Sequence, residues 1–309
     1  MIEIPEYFES MFKVISLHFT SKCNLNCPFC YRSHDGLKEK KPREFFLDLI
    51  PYIKRFAPQI ALGGGEPLTD PEFLIKMGEK CTQEGLLFNF TTNGHVFSHF
   101  SNKQIKQILE HVTMLSVSFD YYKWGKNTTK YAELIHRLKN VMSRDNTVEN
   151  ETRIQTPLIG ANLLIDGGMF KDGGITFLNV VRWLIHTANI DRVYALYPKF
   201  TELIDIIPYK PLFTYLTEKY PFFYVDELIR KAFEEEGFEK WKEPCHFGKD
   251  MININETGEV TGCSFESTPS LIMKHPCDLL RIENITFKER YRCPFIPHII
   301  KVFHKVDRI

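Results

Sequence analysis

Short apolar, β-branched or aromatic runs alternate with stretches of helical periodicity over the first two thirds of the chain. The runs occupy residues 13–19 (KVISLHF), 59–62 (QIAL), 86–91 (LLFNFT), 114–119 (MLSVSF), 159–165 (IGANLLI) and 191–197 (DRVYALY). Their length and composition predict buried strands. Between the first two, Phe45, Phe46, Leu49, Ile50 and Ile53 fall at helical spacing, and Pro51 is expected to kink or shorten that helix. Asp70 followed by Pro71 reads as an N-cap with proline in the first helical position, opening a helix whose apolar face carries Phe73, Leu74, Met77 and Cys81. Further helices are expected at about 102–111, 128–143 and 175–188. Strands and helices in strict succession predict an α/β fold with a parallel sheet, curved or closed, and helices outside it.

After about residue 205 the rhythm changes, which divides the chain into segments 1–205 and 206–309. A helix at 211–219, a strand at 222–225 and a helix at 226–236 still fit the end of the same sheet. From Pro244 the pattern becomes short strands and turns: MININ, then Glu256-Thr257-Gly258, then EVTGCSF predict a β-hairpin.

Composition narrows the class. The 309 residues are 43% hydrophobic and 25% charged, enough for one large or two modest cores and too apolar for a disordered chain. Lys+Arg and Asp+Glu both number 39, so no global basic field gathers nucleic acid or anionic lipid. The 26 Phe and 13 Tyr are scattered through apolar patterns, as core packing requires. No run approaches the roughly 18 apolar residues of a membrane span, and the start lacks a basic leader followed by an apolar core. A soluble, cytoplasmic protein is expected. Eight cysteines are too sparse for a secreted disulfide framework, and their clustering points to metal chemistry in a reducing compartment.

Cys23, Cys27 and Cys30 form C-x3-C-x2-C in SKCNLNCPFC, directly after the first strand. At this cysteine frequency roughly 0.005 such triplets arise by chance. Three thiolates on one tight loop can hold three corners of an iron-sulfur cube and leave the fourth iron open to an exogenous ligand. A structural zinc site is the alternative, needing a fourth ligand such as His18 or His34. The triplet resembles the cysteine loop of the radical S-adenosylmethionine (SAM) superfamily. A second match follows the second strand: Gly63-Gly64-Gly65-Glu66-Pro67 stands where that family carries its GGEP segment.

The resemblance implies a partial (β/α)6 TIM-like barrel with a small C-terminal β-hairpin/helix cluster-binding extension. It implies a 4Fe-4S cluster on the three cysteines, with SAM bound to it. It places Phe29 beside the adenine, and Gly64, Gly65 and Glu66 at the methionyl amino group. Asn93, Ser118 and Asp120 at strand ends, and Asn162 on the fifth strand, fall where relatives contact the ribose, neighbouring groups or carboxylate. Lys126 and Arg137 are nearby helix cations without an assigned role.

Cys245, Gly258 and Cys263 resemble the C-x(9–15)-G-x4-C signature opening the SPASM and twitch extensions of that superfamily, in which a hairpin presents thiolates to an auxiliary iron-sulfur cluster. Cys277 and Cys293 are the remaining thiols that could complete its ligands, and the denser cysteine run of a full SPASM domain is missing, which fits one twitch-type 4Fe-4S cluster. A zinc knot using His246 or His275 is the alternative. Cys81, on an apolar helix face, is expected to be buried.

The function implied is reductive cleavage of SAM to a 5′-deoxyadenosyl radical that takes hydrogen from a peptide or protein side chain. Electrons would come from a low-potential donor of flavodoxin or ferredoxin type. A small-molecule step in cofactor biosynthesis is the alternative, and a non-catalytic electron carrier or zinc-stabilised binding module is the alternative of another class.

Overall fold

A computed structural model describes residues 10–30, 40–125, 127–143, 156–198, 204–236, 241–266, 268–291 and 293. His34 and Lys126 lie outside the described residues. The six predicted strands form where expected: β1 Val14–Leu17, β2 Gln59–Leu62, β3 Leu87–Thr92, β4 Met114–Phe119, β5 Leu158–Leu164 and β6 Arg192–Leu196. The helices are α1 Arg43–Ile53, α2 Pro71–Glu84, α3 Asn102–Leu109, the single turn α4 Tyr121–Trp124, α5 Thr128–Ser143 and α6 Ile175–His186. Later come α7 Lys210–Lys219, β7 Phe223–Val225, α8 Glu227–Glu235, β8 Met251–Ile254, β9 Glu259–Thr261 and β10 Leu271–Ile272. None is long and apolar enough to cross a membrane.

One sheet joins all ten strands in the order β10-β9-β8-β1-β2-β3-β4-β5-β6-β7. From β8 to β7 every neighbour is parallel, and β9 and β10 continue it antiparallel. The edges β7 and β10 do not meet, so the barrel is open. Strands on both sides of residue 205 share this sheet: β7 pairs β6 through Val193↔Phe223, and β8 lies beside β1 with Ser16↔Asn253 in register. The hairpin is thus fused to the first strand.

Local chemistry accounts for the element ends. The Asp70 carboxylate accepts from Phe73 N at 3.3 Å and caps α2, while Pro71 occupies the first turn, where its missing N–H is unneeded. Pro51 sits in the last turn of α1, which ends two residues later. In the β8–β9 turn the Asn255 side chain accepts from Thr257 N and Glu259 N, both at 3.0 Å, and Gly258 adopts φ +81°. A Cβ there would also lie 2.9 Å from Met273 O, so glycine is required twice over.

The strands alternate more strongly than continuous buried runs would. Ile15, Leu17, Ile60, Phe88 and Phe90 are buried in the apolar core with the helices. The intervening positions Ser16, Ala61, Thr91, Ser118 and Asn162 are small or polar and line a cavity inside the open barrel. Cys81 is fully buried in the core, as its helix face predicts.

Candidate active site

A cavity of about 530 Å³ opens at the carboxyl ends of the strands. Cys23, Cys27, Phe29, Cys30, Gly64, Gly65, Glu66, Asn93, Ser118, Asp120 and Asn162, all singled out from sequence, line it. So does Cys263 from the hairpin. Position at strand ends explains the convergence, because side chains and loops there are aimed at one opening by parallel strands.

The cysteine loop is built by local turns and by long-range ties. Cys30 N donates to Cys27 O at 3.0 Å, folding that pair into one turn, and Leu25 N donates to Cys23 Sγ at 3.4 Å. Asn93 Nδ2 donates to Asn24 Oδ1 at 2.7 Å, and Tyr122 Oη donates to Asn26 O at 2.8 Å. The Phe29 ring meets Tyr122 edge-on with centroids 5.9 Å apart. Upstream, Arg43 Nη1 holds Phe19 O at 2.7 Å while Nε binds Asp70 at 2.8 Å.

The glycines serve this loop directly. Gly65 N donates to Thr20 O and Glu66 N to Lys22 O, each at 2.8 Å, extending the β1–β2 pairing into the stretch just before Cys23. A Cβ on Gly65 would lie 2.1 Å from Lys22 O, and one on Gly64, at φ +104°, would lie 2.8 Å from Thr20 O. The close approach that small residues permit here is to the chain's own backbone.

Glu66 is 2% exposed, and burial pushes its carboxyl above the ordinary value. Leu68 N at 3.1 Å and Thr92 Oγ1 at 2.7 Å donate to Oε1, and Asn93 N at 2.7 Å donates to Oε2. A carboxylate offers about four acceptor directions. Glu66 therefore ties the β2 and β3 ends together and keeps little acceptor capacity for a ligand; the neighbouring backbone carbonyls are the other acceptors at this turn.

One group that sequence reasoning passed over is Lys123. Asp120, 4% exposed, caps α4 by accepting from Lys123 N at 2.8 Å and pairs with Lys123 Nζ. That ammonium lies 5.0 Å from the Phe29 centroid. Burial pushes the Cys27 thiol up to about 11, and Lys123 acts against the shift. Burial likewise raises Cys23, with Lys123 again opposing. The signal in sequence was Asp120-x-x-Lys123, an i, i+3 pair at a strand end. Arg137, by contrast, donates to Phe97 O, Phe100 O and Asn102 Oδ1 and is a helix-packing residue. Asn162 Nδ2 donates to Thr91 Oγ1 at 3.3 Å across the cavity wall.

In the tail, Cys263 is 8% exposed, Cys245 and Cys293 are half-buried and Cys277 is exposed on the turn at 276–284. Burial pushes Cys245 up to about 11, with Cys263 and Cys293 both contributing. Arg290 ties these segments: its carbonyl accepts from Cys245 N at 2.7 Å and its guanidinium pairs with Glu266, three residues past Cys263. Among the described residues no three His, Cys, Asp or Glu side chains converge on a point for a single metal ion. The chemistry of the first donor set, three thiols on one loop beside a cation, at a cavity with room for a nucleotide, fits a cluster with one open corner.

Known proteins resemble this chain in the same region. Residues 17–150 match the family model described as the Radical SAM superfamily. Over 137 residues the chain is 26% identical to a pyruvate formate-lyase-activating enzyme of Clostridium pasteurianum, covering 40% of this chain and 56% of that protein. The chain spans about half the length of the curated relatives it matches, between 40% and 56% for three of them. Streptococcus suis SuiB bound to the precursor peptide SuiA superposes with TM-score 0.63 at 14% identity, over 94% of this chain and 67% of that one. The anSMEcpe protein with bound AdoMet and Cp18Cys peptide gives TM-score 0.57 at 13% identity, over 86% of this chain and 79% of that one. At these identities the likeness is one of fold.

Proposed function

We propose that this chain, whose residues 17–150 match the Radical SAM superfamily model, is an enzyme that cleaves SAM reductively and takes hydrogen from a peptide or protein side chain. The observation that carries this reading is that Cys23, Cys27, Cys30, the Gly63–Glu66 turn and Cys263 all line one cavity. Cys23, Cys27 and Cys30 would hold a 4Fe-4S cluster, and the open iron would take the SAM amino and carboxylate groups. When bound, the cluster, reduced by the external donor, would supply one low-potential electron to the sulfonium of SAM, the chemistry that breaks a carbon–sulfur bond to give methionine and a 5′-deoxyadenosyl radical.

The chain's residues orient and shield. Lys123 supplies positive charge beside the thiols for the SAM carboxylate, and Asp120 holds it in place. Phe29 offers an apolar face for adenine; Asn93, Ser118 and Asn162 offer polar contacts for the ribose and its neighbours; the Gly64 and Gly65 region offers carbonyls to the ammonium. Leu25, Leu62 and Phe29 exclude water from one side of the cavity.

In this reading segment 1–205 is the radical core, and segment 206–309 carries a second 4Fe-4S cluster on Cys245 and Cys263 with Cys293 and Cys277. The mutual influence of Cys245, Cys263 and Cys293 supports these three of the four. A peptide substrate is favoured because a structurally similar protein is bound to a precursor peptide and a sequence relative is named as an enzyme activator. The electron donor is a flavodoxin or ferredoxin type protein, and the compartment is the cytoplasm. Anaerobic reconstitution tests the whole: about eight irons per chain with 5′-deoxyadenosine formation supports it. Zinc in the cysteine loop and indifference to SAM refutes it. Formation of 5′-deoxyadenosine that no candidate peptide changes counts against the peptide.

A further inference from the structure

The cavity extends beyond its thiol-lined half. Between β6, β8 and the loop after β9 it is walled by Leu164, Leu196, Phe247, Met251 and Phe265, with Asn253 among its few polar groups. Asn253 is 4% exposed, and its Oδ1 is one of two buried side-chain polar atoms without a hydrogen-bond partner among the described residues. Neighbouring strands fix its direction: Asn253 is in register with Ser16, which lines the same cavity.

The amide cannot relieve its oxygen by rotating. Asn253 Nδ2 donates to Thr261 Oγ1 at 3.4 Å, and the Thr261 hydroxyl donates to Cys263 O at 2.9 Å. With its one proton so used, Thr261 can only accept. Turning the amide over would set two acceptors against each other, so Oδ1 is held as an acceptor in want of a donor. Buried acceptors are paired in native proteins as a rule, and an exception in a cavity marks a place where a ligand brings the partner.

We infer that this half of the cavity is a subsite for a group without negative charge that presents an N–H or O–H to Asn253 Oδ1 from an apolar body. The inference rests on the thiol-lined half being the SAM site, which leaves this half for the molecule that reacts. An anionic group is excluded on charge grounds. Of the described residues lining this half, only His18 and Asp226 are ionisable apart from Cys263 and Tyr197, and the Asp226 carboxylate already accepts from Ile229 N at 2.9 Å and Tyr197 N at 3.0 Å. A carboxylate or phosphate would face an acceptor with no lysine or arginine among the described lining residues of this half. Primary amides and alcohols on an aromatic or aliphatic body supply such a donor.

The test uses the anaerobic, iron-loaded protein with SAM, titrated by ligand-observed NMR with phenylacetamide, 2-phenylethanol and N,N-dimethylphenylacetamide, which lacks a donor. At least one donor-bearing probe is expected to bind about tenfold more tightly than the dimethyl compound, the size of one buried hydrogen bond. That preference is expected to vanish in Asn253→Leu. Three equal affinities, no saturable binding at millimolar concentration, or a preference that survives Asn253→Leu would overturn the proposal. SAM affinity and 5′-deoxyadenosine are measured on the same preparations. A wild-type protein that cleaves SAM but shows no donor preference sinks the subsite alone, and one that neither binds nor cleaves SAM sinks the parent reading. If Asn253→Leu does not fold, the three probes on the wild-type protein decide.

Discussion

Replacing Gly65 by Ala isolates the tie between the glycine turn and the cysteine loop. The added Cβ would lie 2.1 Å from Lys22 O and 2.8 Å from Lys22 C and Ser21 C, all backbone atoms that cannot rotate away. The loop must lift, and the bonds Gly65 N to Thr20 O and Glu66 N to Lys22 O, each 2.8 Å long, go with it. Two backbone hydrogen bonds at about 1 kcal/mol each and overpacking at about 1–3 kcal/mol sum to roughly 3–5 kcal/mol against the native loop. Because Cys23 follows Lys22, that energy falls on the geometry of the first three thiols rather than on the hairpin. Iron and sulfide content after anaerobic reconstitution, SAM affinity and 5′-deoxyadenosine formation are the assays. The expected result is loss of the first cluster's iron and of SAM binding, with the tail's iron retained. Gly85→Ala is the control: at φ +71° it ends α2 with nothing within 4 Å of its Cβ, so it costs about 1 kcal/mol of backbone strain and leaves iron untouched. A Gly65→Ala protein with full iron and undiminished SAM cleavage would refute the docking role.

Four further outcomes follow from named contacts. Glu66→Gln turns an NH₂ toward donors that now converge on a carboxylate, and a loss of roughly 2–4 kcal/mol in chemical denaturation is expected, an unchanged midpoint contradicting the tie. Lys123→Gln removes the cation beside the thiols, so SAM affinity should fall about tenfold while iron content holds; equal affinity would take Lys123 out of the site. Cys27→Ala should abolish SAM cleavage, whereas Cys263→Ala should keep the first cluster and lose tail iron, and undiminished iron in the latter would remove it from the ligand set. In the metal-free chain a Cys27 thiol pushed up to about 11 is protonated at neutral pH. Its alkylation by iodoacetamide should therefore climb about tenfold per pH unit up to that value, and a plateau near pH 8 would show a thiolate that burial does not suppress.

Local pattern determined much of this protein. QIAL and MLSVSF become β2 and β4 without a residue's error, 128–143 becomes α5, and the hairpin turn falls on Gly258, because strand and helix periodicity and turn stereochemistry act between near neighbours in the chain. The three clustered cysteines declared their chemistry by spacing for the same reason. What depends on register between distant segments was silent. Nothing in MININ says that β8 pairs with β1, yet that pairing brings Cys263 and Asn253 to the cavity of Cys23. Lys123 looks like any helix cation until Asp120 and Phe29 close around it. Glycines 64 and 65 read as room for a ligand until the backbone of Thr20–Lys22 is found in that room. Sheet order, cavity lining and the partner of each polar group are properties of contacts made across hundreds of residues, which only the folded chain brings together.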